Sequence, residues 1–442
     1  MNDKFYDKFM PKKAKAAATK KQKKDIPHKP AADKFDDGKK PVYTPVKGNS
    51  RLLSRTSLFE SSKVPQDAKK VIEDFDQIIQ GVKPLNSRQL QQLPDNIRNL
   101  SHQMTDDRST RRLGYMNENV QLSAYVRYFT WWNLVRLSRL FANLPAECFP
   151  SQDAVCLDLG SGPLTVVTAL WLARPELRNK SFTWYCLDVS QNSLSLGEDV
   201  YLSVAARVPG TTWKIIRVKG SFGTFIKEKA DFITCANMFN ELDQASDMPP
   251  EFQTKKYHDQ LKAYGKTDAK YLLIEPGVPK AARTLSLLRD RFIKDNYFIP
   301  APCPHFEDCP MNGFKAYTGS SCKWCNFAFN TEDAPKRLQA LSVSAKLPKE
   351  RAVLSFISAI PTAQVDAKNE ASELDLRIAS DAFRLPGYRT GHYACSSLGL
   401  TLVSSSSKEQ ELLSGDLIKV KLQVKPDNLT MDEKSGAKNI IL

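Results

Sequence analysis

Five short apolar runs, AVCLDL, FTWYCLD, WKIIRV, DFITCAN and YLLIEP, recur between residues 154 and 276. Helical stretches separate them: LTVVTALWLA, QNSLSLGEDVYLSVAARV and PPEFQTKKYHDQLKAY. A parallel strand pair needs a crossover of a dozen or more residues, usually a helix. The alternation therefore predicts an α/β fold with a parallel, doubly wound sheet. RAVLSFISAI and GHYACSSLGLTLV come later and are expected to add antiparallel edge strands. GDLIKVKLQVKPD, near the end, reads as one more strand.

The rest of the chain divides around this core. Residues 1–50 form a basic, low-complexity tail with fourteen Lys and six Asp. It is too poor in apolar residues to fold alone. It reads either as a solubilising tail or as an arm that binds phosphates by releasing their counterions. Residues 51–145 read as helical. In NVQLSAYVRYFTWWNLVRLSRLFANL, Tyr125, Tyr128, Phe129, Trp132, Val135 and Leu140 form a stripe at helical spacing, expected to be core. The α/β domain is assigned to 146–300 and a Cys-rich segment to 301–330. Residues 331–442 are left to complete the sheet and form a small β-rich extension.

The net charge is +15 over 442 residues, which suits a nucleic-acid partner. No apolar run approaches the ~20 residues of a membrane span, so no membrane partner is expected. The charged N-terminus has no apolar h-region and reads as neither a signal nor a transit peptide. The expectation is a monomeric bacterial cytoplasmic protein, where disulfides are disfavoured.

DLGSGP follows the first predicted strand and opens the first helix. Gly160 and Gly162 let the backbone approach a ligand, and the helix start offers unpaired N–H groups. Asp158 and Ser161 belong to the same loop. Asp188 ends the second strand, where a carboxylate can hold ribose hydroxyls. Asn237 follows the fourth strand and Glu275 ends the fifth, so all face the usual ligand crevice of such sheets. Thr165 stands where a dinucleotide loop has its third glycine. The pattern instead resembles the class I S-adenosylmethionine-dependent methyltransferases, although Leu164 would crowd the methionine part of that ligand. No catalytic set is legible: NMFN (237–240) lacks the prolines and aromatic of amino-methylating motifs, and Cys235 reads as strand core.

Four thiols, Cys303, Cys309, Cys322 and Cys325, fall in PCPHFEDCPMNGFKAYTGSSCKWCNF among turn-forming Pro and Gly residues. Without an oxidising compartment they read as a metal site. Cys322-x-x-Cys325 is half of a zinc site, with Cys303, Cys309 and His305 available for the rest. An iron–sulfur cluster tolerates the irregular spacing equally well. Spacing leaves the two open.

EPGVPKAARTLSLLRD, APCPHFEDCP, WCNF and GHYAC, together with DLGSGP and NMFNEL, resemble one family over about residues 110–405. These are the methyltransferase-like assembly factors of the mitochondrial small ribosomal subunit and their bacterial relatives. The resemblance implies a [4Fe-4S] cluster held by Cys303, Cys309, Cys325 and Cys395, with Cys322 an extra thiol able to replace Cys325 or Cys395. His305 and His392 would stand beside the ligands. It also implies binding to the small subunit and its rRNA in ribosome assembly or translation. The competing expectations are an active S-adenosylmethionine-dependent rRNA methyltransferase and a zinc-containing RNA-binding protein without cofactor.

Overall fold

In β2 (Val155–Leu159), Cys156 joins one apolar core while Leu157 and Leu159 join another. Successive side chains of a strand point to opposite faces, so a strand buried on both faces must lie inside a covered sheet. The structure is a computed structural model that describes residues 48–105, 115–150, 152–242, 248–317, 323–362, 373–405 and 411–442. β3 (Thr183–Asp188), β4 (Lys214–Lys219), β5 (Ala230–Ala236) and β6 (Gly265–Glu275) run parallel with β2. Adding β7 (Tyr297–Ala301) and β9 (Arg351–Pro361), the order is β4-β3-β2-β5-β6-β9-β7. This is the expected class I methyltransferase-like, Rossmann-like α/β sheet. β8 (Phe327–Asn330) pairs only with β9.

The Arg351–Pro361 strand is antiparallel as expected, but it is not an edge. It sits between β6 and β7 and pairs with both. Its sequence explains the position: Leu354 and Phe356 enter one core and Ile357 and Ala359 the other. An edge strand has no use for that much buried apolar surface.

Helices cover both faces. α6 (Thr165–Ala173) and α7 (Gln191–Ala205) lie on one side, α8 (Pro250–Tyr264) and α9 (Pro279–Lys294) on the other. The N-terminal helices α1 (Gln66–Glu73), α2 (Phe75–Val82), α3 (Ser87–Thr105), α4 (Asn119–Ala124) and α5 (Trp131–Asn143) extend the first layer, with α5 packed on α6. A π-helical turn, Tyr125–Thr130, joins α4 to α5. The aromatic stripe is core: Tyr128 and Trp132 are buried, and Trp132 Nε1 donates to Ser342 Oγ of α10 (Lys336–Ser344) at 3.0 Å. Among the described residues no helix is long and apolar enough to cross a membrane.

A second sheet holds β1 (Ser50–Thr56), β10 (Glu373–Ile378), β12 (Arg389–Ser396), β13 (Gly399–Ser405), β14 (Leu417–Leu422) and β15 (Lys438–Ile441). The order is β1-β14-β10-β12-β13-β15, with β11 (Phe383–Leu385) attached to β12. GHYACSSLGLTLV therefore builds a hairpin of this sheet and not an edge of the first. Leu374, Leu376 and Ile378 alternate into a core with Ala394, Val403, Ile418, Val420 and Ile440. Only β13 and β15 run parallel. The outer strands meet: Ser50 Oγ donates to Ile441 O (3.0 Å) and Asn49 Nδ2 to Asn439 O (2.9 Å). The sheet thus curls into a barrel. Residues 50–56, at the head of the region read as helical, are a strand because their partner β14 lies at the far end of the chain.

Candidate functional site

The glycine loop forms where β2 turns into α6. Gly160 (φ +66°) and Gly162 (φ +51°) adopt the left-handed conformation, and so does Leu164 (φ +53°). The loop is fastened to the next strand. Ser161 N–H donates to Leu187 O (3.0 Å), and Gly162 N–H donates to Asp188 Oδ2 (2.9 Å). Asp188 Oδ1 accepts the Ser190 N–H (2.8 Å). Asp158 is fully buried and accepts from Thr234 Oγ1 at 2.6 Å. Burial pushes its carboxyl up to about 7, and burial also raises Asp188.

The far side of the crevice is equally braced. Asn237 takes φ +60° and donates its N–H to Ile274 O (2.8 Å). Glu275 accepts from the N–H groups of Phe239 (2.9 Å) and Asn240 (3.0 Å), which shapes the NMFN turn. Arg136 of α5 reaches across to Asn237 Oδ1 (3.3 Å) and Val353 O (3.0 Å). All seven expected crevice residues, Asp158, Gly160, Ser161, Gly162, Asp188, Asn237 and Glu275, therefore lie at the carboxyl ends of β2, β3, β5 and β6. Two pairs among them bond directly, Gly162 to Asp188 and Ser161 Oγ to Asp158 O. Two methionines sit against the loop: a Cβ on Gly160 would stand 3.0 Å from Met238 Cβ, and one on Gly162 would stand 3.8 Å from Met116 Cε. The absence of a Cβ at Gly160 admits Met238 closely, whereas Met116 stands at ordinary contact distance from Gly162. Cys235 is fully buried, and burial drives its thiol well above the usual range, as suits a strand core residue.

The cysteines gather at the junction of the two sheets. Cys303 follows β7, Cys309 lies in the next turn, Cys325 precedes β8, and Cys395 sits on β12. Backbone bonds shape the turns: Cys325 N–H donates to Met311 O (2.9 Å), and Asn312 bridges Trp324. Ser355 Oγ of β9 donates to Cys325 O at 2.7 Å. Burial, then the neighbouring Cys303, raises both Cys309 (to about 11) and Cys395. Burial, then Cys309, Cys395 and Cys303, raises Cys325. Cys309, Cys325 and Cys395 thus each lie within electrostatic reach of Cys303. Cys322 lies outside the described residues, as does nearly all of the basic tail. Among the described residues, no group of three or more His, Cys, Asp or Glu is placed to hold a metal ion.

Two arginines, unread in the sequence, complete this region. Arg289 of α9 is 2% exposed; its Nε donates to Cys303 Sγ (3.2 Å) and its Nη2 to His305 O (3.0 Å) and Glu307 O (2.8 Å). Arg377 of β10 stands opposite Cys395 and donates to Pro302 O (2.8 Å) and Gly415 O (2.7 Å). Arginines in α9 and β10 have no local spacing to betray them. Their buried charge is the only signal, and it needs the fold to become visible. His305 is buried, and burial with the Arg289 charge lowers it to about 4; burial lowers His392 too.

The model of a family described as Mitochondrial small ribosomal subunit Rsm22 matches residues 121–386. No curated protein matches the chain. Similar solved structures include magnesium protoporphyrin IX methyltransferase of Synechocystis PCC 6803, at 12% identity and TM-score 0.31, covering 61% of this chain and 99% of that one. A putative class I S-adenosylmethionine-dependent methyltransferase of Listeria monocytogenes gives 11% identity and TM-score 0.29, covering 70% and 92%. Precorrin-6y C5,15-methyltransferase of Geobacter metallireducens GS-15 gives 11% and 0.30, covering 50% and 87%. The strand order, and not these likenesses, identifies the fold.

Proposed function

Because the chain belongs to the mitochondrial small ribosomal subunit Rsm22 family, we propose that it binds the small ribosomal subunit through rRNA and carries an iron–sulfur cluster. Its role is in ribosome assembly or translation. What supports the cluster is that Arg289 donates to Cys303 Sγ and Arg377 stands opposite Cys395, so two buried guanidiniums lie beside thiols that come from both sheets. Four thiolates in a dry site need positive charge nearby, and these two arginines supply it. Four thiols are the donor type of a four-cysteine cluster; as placed among the described residues they do not form a metal-holding group, so a cluster would have to draw them together and would then cross-link the two sheets. Cys303, Cys309 and Cys325 would hold it from the α/β side and Cys395 from the barrel. Arg289 orients the Cys303 sulfur, and Arg377 ties Pro302 to the barrel strand that bears Cys395. Ligand binding requires the thiols to lose their protons, so assembly couples to folding.

The crevice supports binding more than catalysis. Its polar groups are committed to the loops, and Met116 and Met238 stand at the glycines. S-adenosylmethionine would find Gly160, Gly162, Asp188 and Asn237 in place once those methionines move.

Anaerobic purification tests the first part. Iron and acid-labile sulfide in equal amounts are expected, with broad visible absorption; stoichiometric zinc in a colourless protein overturns the cluster. Sedimentation with purified small subunits tests the second. Failure to co-sediment at low salt overturns the ribosomal role.

A further inference from the structure

The barrel has a recognisable connection order. With the short β11 set aside, five C-terminal strands remain: β10, β12 and β13 form an antiparallel meander, β14 returns to pair with β10, and β15 lies parallel to β13. Numbered one to five, they give neighbours 1-2, 2-3, 1-4 and 3-5. That is the Greek-key order of the oligonucleotide- and oligosaccharide-binding barrel. Here β1 fills the gap between the fourth and fifth strands, through Arg51↔Lys421 on one side and Asn49 bonded to Ile441 on the other.

Such barrels bind ligands on the outer face of strands two and three and on the loops beside it. In this chain that face is covered. Cys395 and Leu402 are almost fully buried, and Tyr393 and Leu400 pack against the core of the α/β body. The loop between strands one and two stays open. It contains the hairpin of β11 and β12, in which Phe383, Arg384 and Leu385 pair with Gly391, Thr390 and Arg389.

The hairpin is rigid and ends in an unusual residue. The Phe383 ring packs on Tyr393 at 5.1 Å, and a Cβ on Gly391 would meet Leu385 Cδ1 at 2.7 Å. At the tip, Gly387 takes φ +76° and Tyr388 takes φ +59°. Glycine accepts that conformation freely; a bulky residue rarely does. Yet Tyr388 is 101% exposed, so no packing of its ring compensates for the strain. Arg384 is exposed beside it, and Arg389 is half-buried, bonded only to Pro386 O and Ser404 Oγ among the described residues. The nearby Asp381 is already occupied by Arg351.

We propose that this hairpin grips unpaired RNA, with a base stacked on Tyr388 at the tip and phosphates on either side of it held by Arg384 on one face of the hairpin and Arg389 on the other. Single-strand binders combine an aromatic platform with cationic groups that follow the backbone. The two arginines flanking the tip and the net charge of +15 favour a nucleic acid over an oligosaccharide. The inference deepens the small-subunit reading by naming a contact surface, and it rests on that reading only for the source of the RNA.

The test uses the full chain, a fluorescein-labelled oligouridylate and a duplex of the same length, with sedimentation against small subunits in parallel. Tyr388→Asn removes the ring but suits a positive φ, so the hairpin keeps its shape. It is expected to weaken oligouridylate binding about 5- to 100-fold, as the loss of one base–aromatic stack does, with an unchanged salt slope. Tyr388→Trp is expected to retain affinity. Arg384→Gln is expected to lower the slope of log affinity against log salt by about 0.7. Equal binding of Tyr388→Asn and wild type overturns the proposal, as does a preference for the duplex. If wild type co-sediments with small subunits but binds no oligouridylate, the hairpin fails and the ribosomal role stands. If it binds oligouridylate through Tyr388 but ignores small subunits, the hairpin stands and the ribosomal role fails.

Discussion

Asn49 and Ile441 bond to each other twice across 392 positions of sequence. The Asn49 N–H donates to the Ile441 carbonyl at 3.0 Å, and the Ile441 N–H donates to Asn49 Oδ1 at 2.8 Å. An asparagine side chain thus does the work of a ladder partner where the first and last strands meet. Asn49→Ala should remove that bond and the one to Asn439 O, at a cost of about 1–3 kcal/mol. Hydrogen exchange should accelerate at residues 438–441 and stay unchanged in α6. Uniform acceleration would mean that the closure is not a local seam.

Gly197 of α7 lets the helix touch the glycine loop. A Cβ there would fall 2.4 Å from the Pro163 carbonyl carbon and 2.7 Å from Pro163 Cα. Backbone cannot swing aside as a side chain can. Gly197→Ala is expected to destabilise by about 1–3 kcal/mol, the usual cost of overpacking. A denaturant midpoint equal to wild type would refute the contact.

Asp158 makes stability depend on pH. Its folded value of about 7 lies above the unfolded value of about 3.9. The folded state therefore binds the proton more tightly, and burying the charged form costs stability. That cost is fully present above pH ~7 and vanishes as pH falls towards ~4. Asp158→Asn should raise Tm at pH 8 and change it little at pH 4. The reverse pattern would show that Thr234 and the loop stabilise the carboxylate.

The methionines predict the behaviour of the crevice. Calorimetric titration with S-adenosylmethionine should give tighter binding to Met238→Ala than to wild type, by several-fold. Equal affinities would mean that Met238 does not obstruct entry.

Cysteine substitutions should sort into two groups by metal content. Cys303→Ser, Cys309→Ser, Cys325→Ser and Cys395→Ser are each expected to lower iron and sulfide per chain, whereas Cys235→Ser and Cys322→Ser should leave both unchanged. Loss of iron in Cys322→Ser with retention in Cys395→Ser would move the fourth ligand to position 322.

Much of the architecture was legible because it is written in local pattern. All five apolar runs from Val155 to Glu275 became parallel strands, and the stripe through Tyr128 and Trp132 became core. Burial on both faces shows in sequence as a continuous apolar run, so strand identity was readable. Strand position was not: nothing near Arg351–Pro361 states that it enters between β6 and β7. Nor does SRLLSRT announce a partner at 417–422. The same division holds at the site. The residues of DLGSGP and the crowded thiols stand close in sequence, whereas Arg289, Arg377, Met116 and Met238 reach theirs only through tertiary packing. An arginine on α9 looks like any surface arginine until the helix is docked.

The bond between Asn49 and Ile441 also sets a timetable for synthesis. Chains emerge at about 5–20 residues per second, so roughly 20–80 s separate the two residues at the exit tunnel. For nearly all of that interval β1 has neither of its neighbours, β14 following only near its close, and Leu52 and Leu53 wait in an unpaired strand. Its cations, Arg51 and Arg55, are of the kind that discourage a bare strand from pairing with another chain. Strands made hundreds of residues later give this early one its place, so the barrel closes only after β15 has left the tunnel.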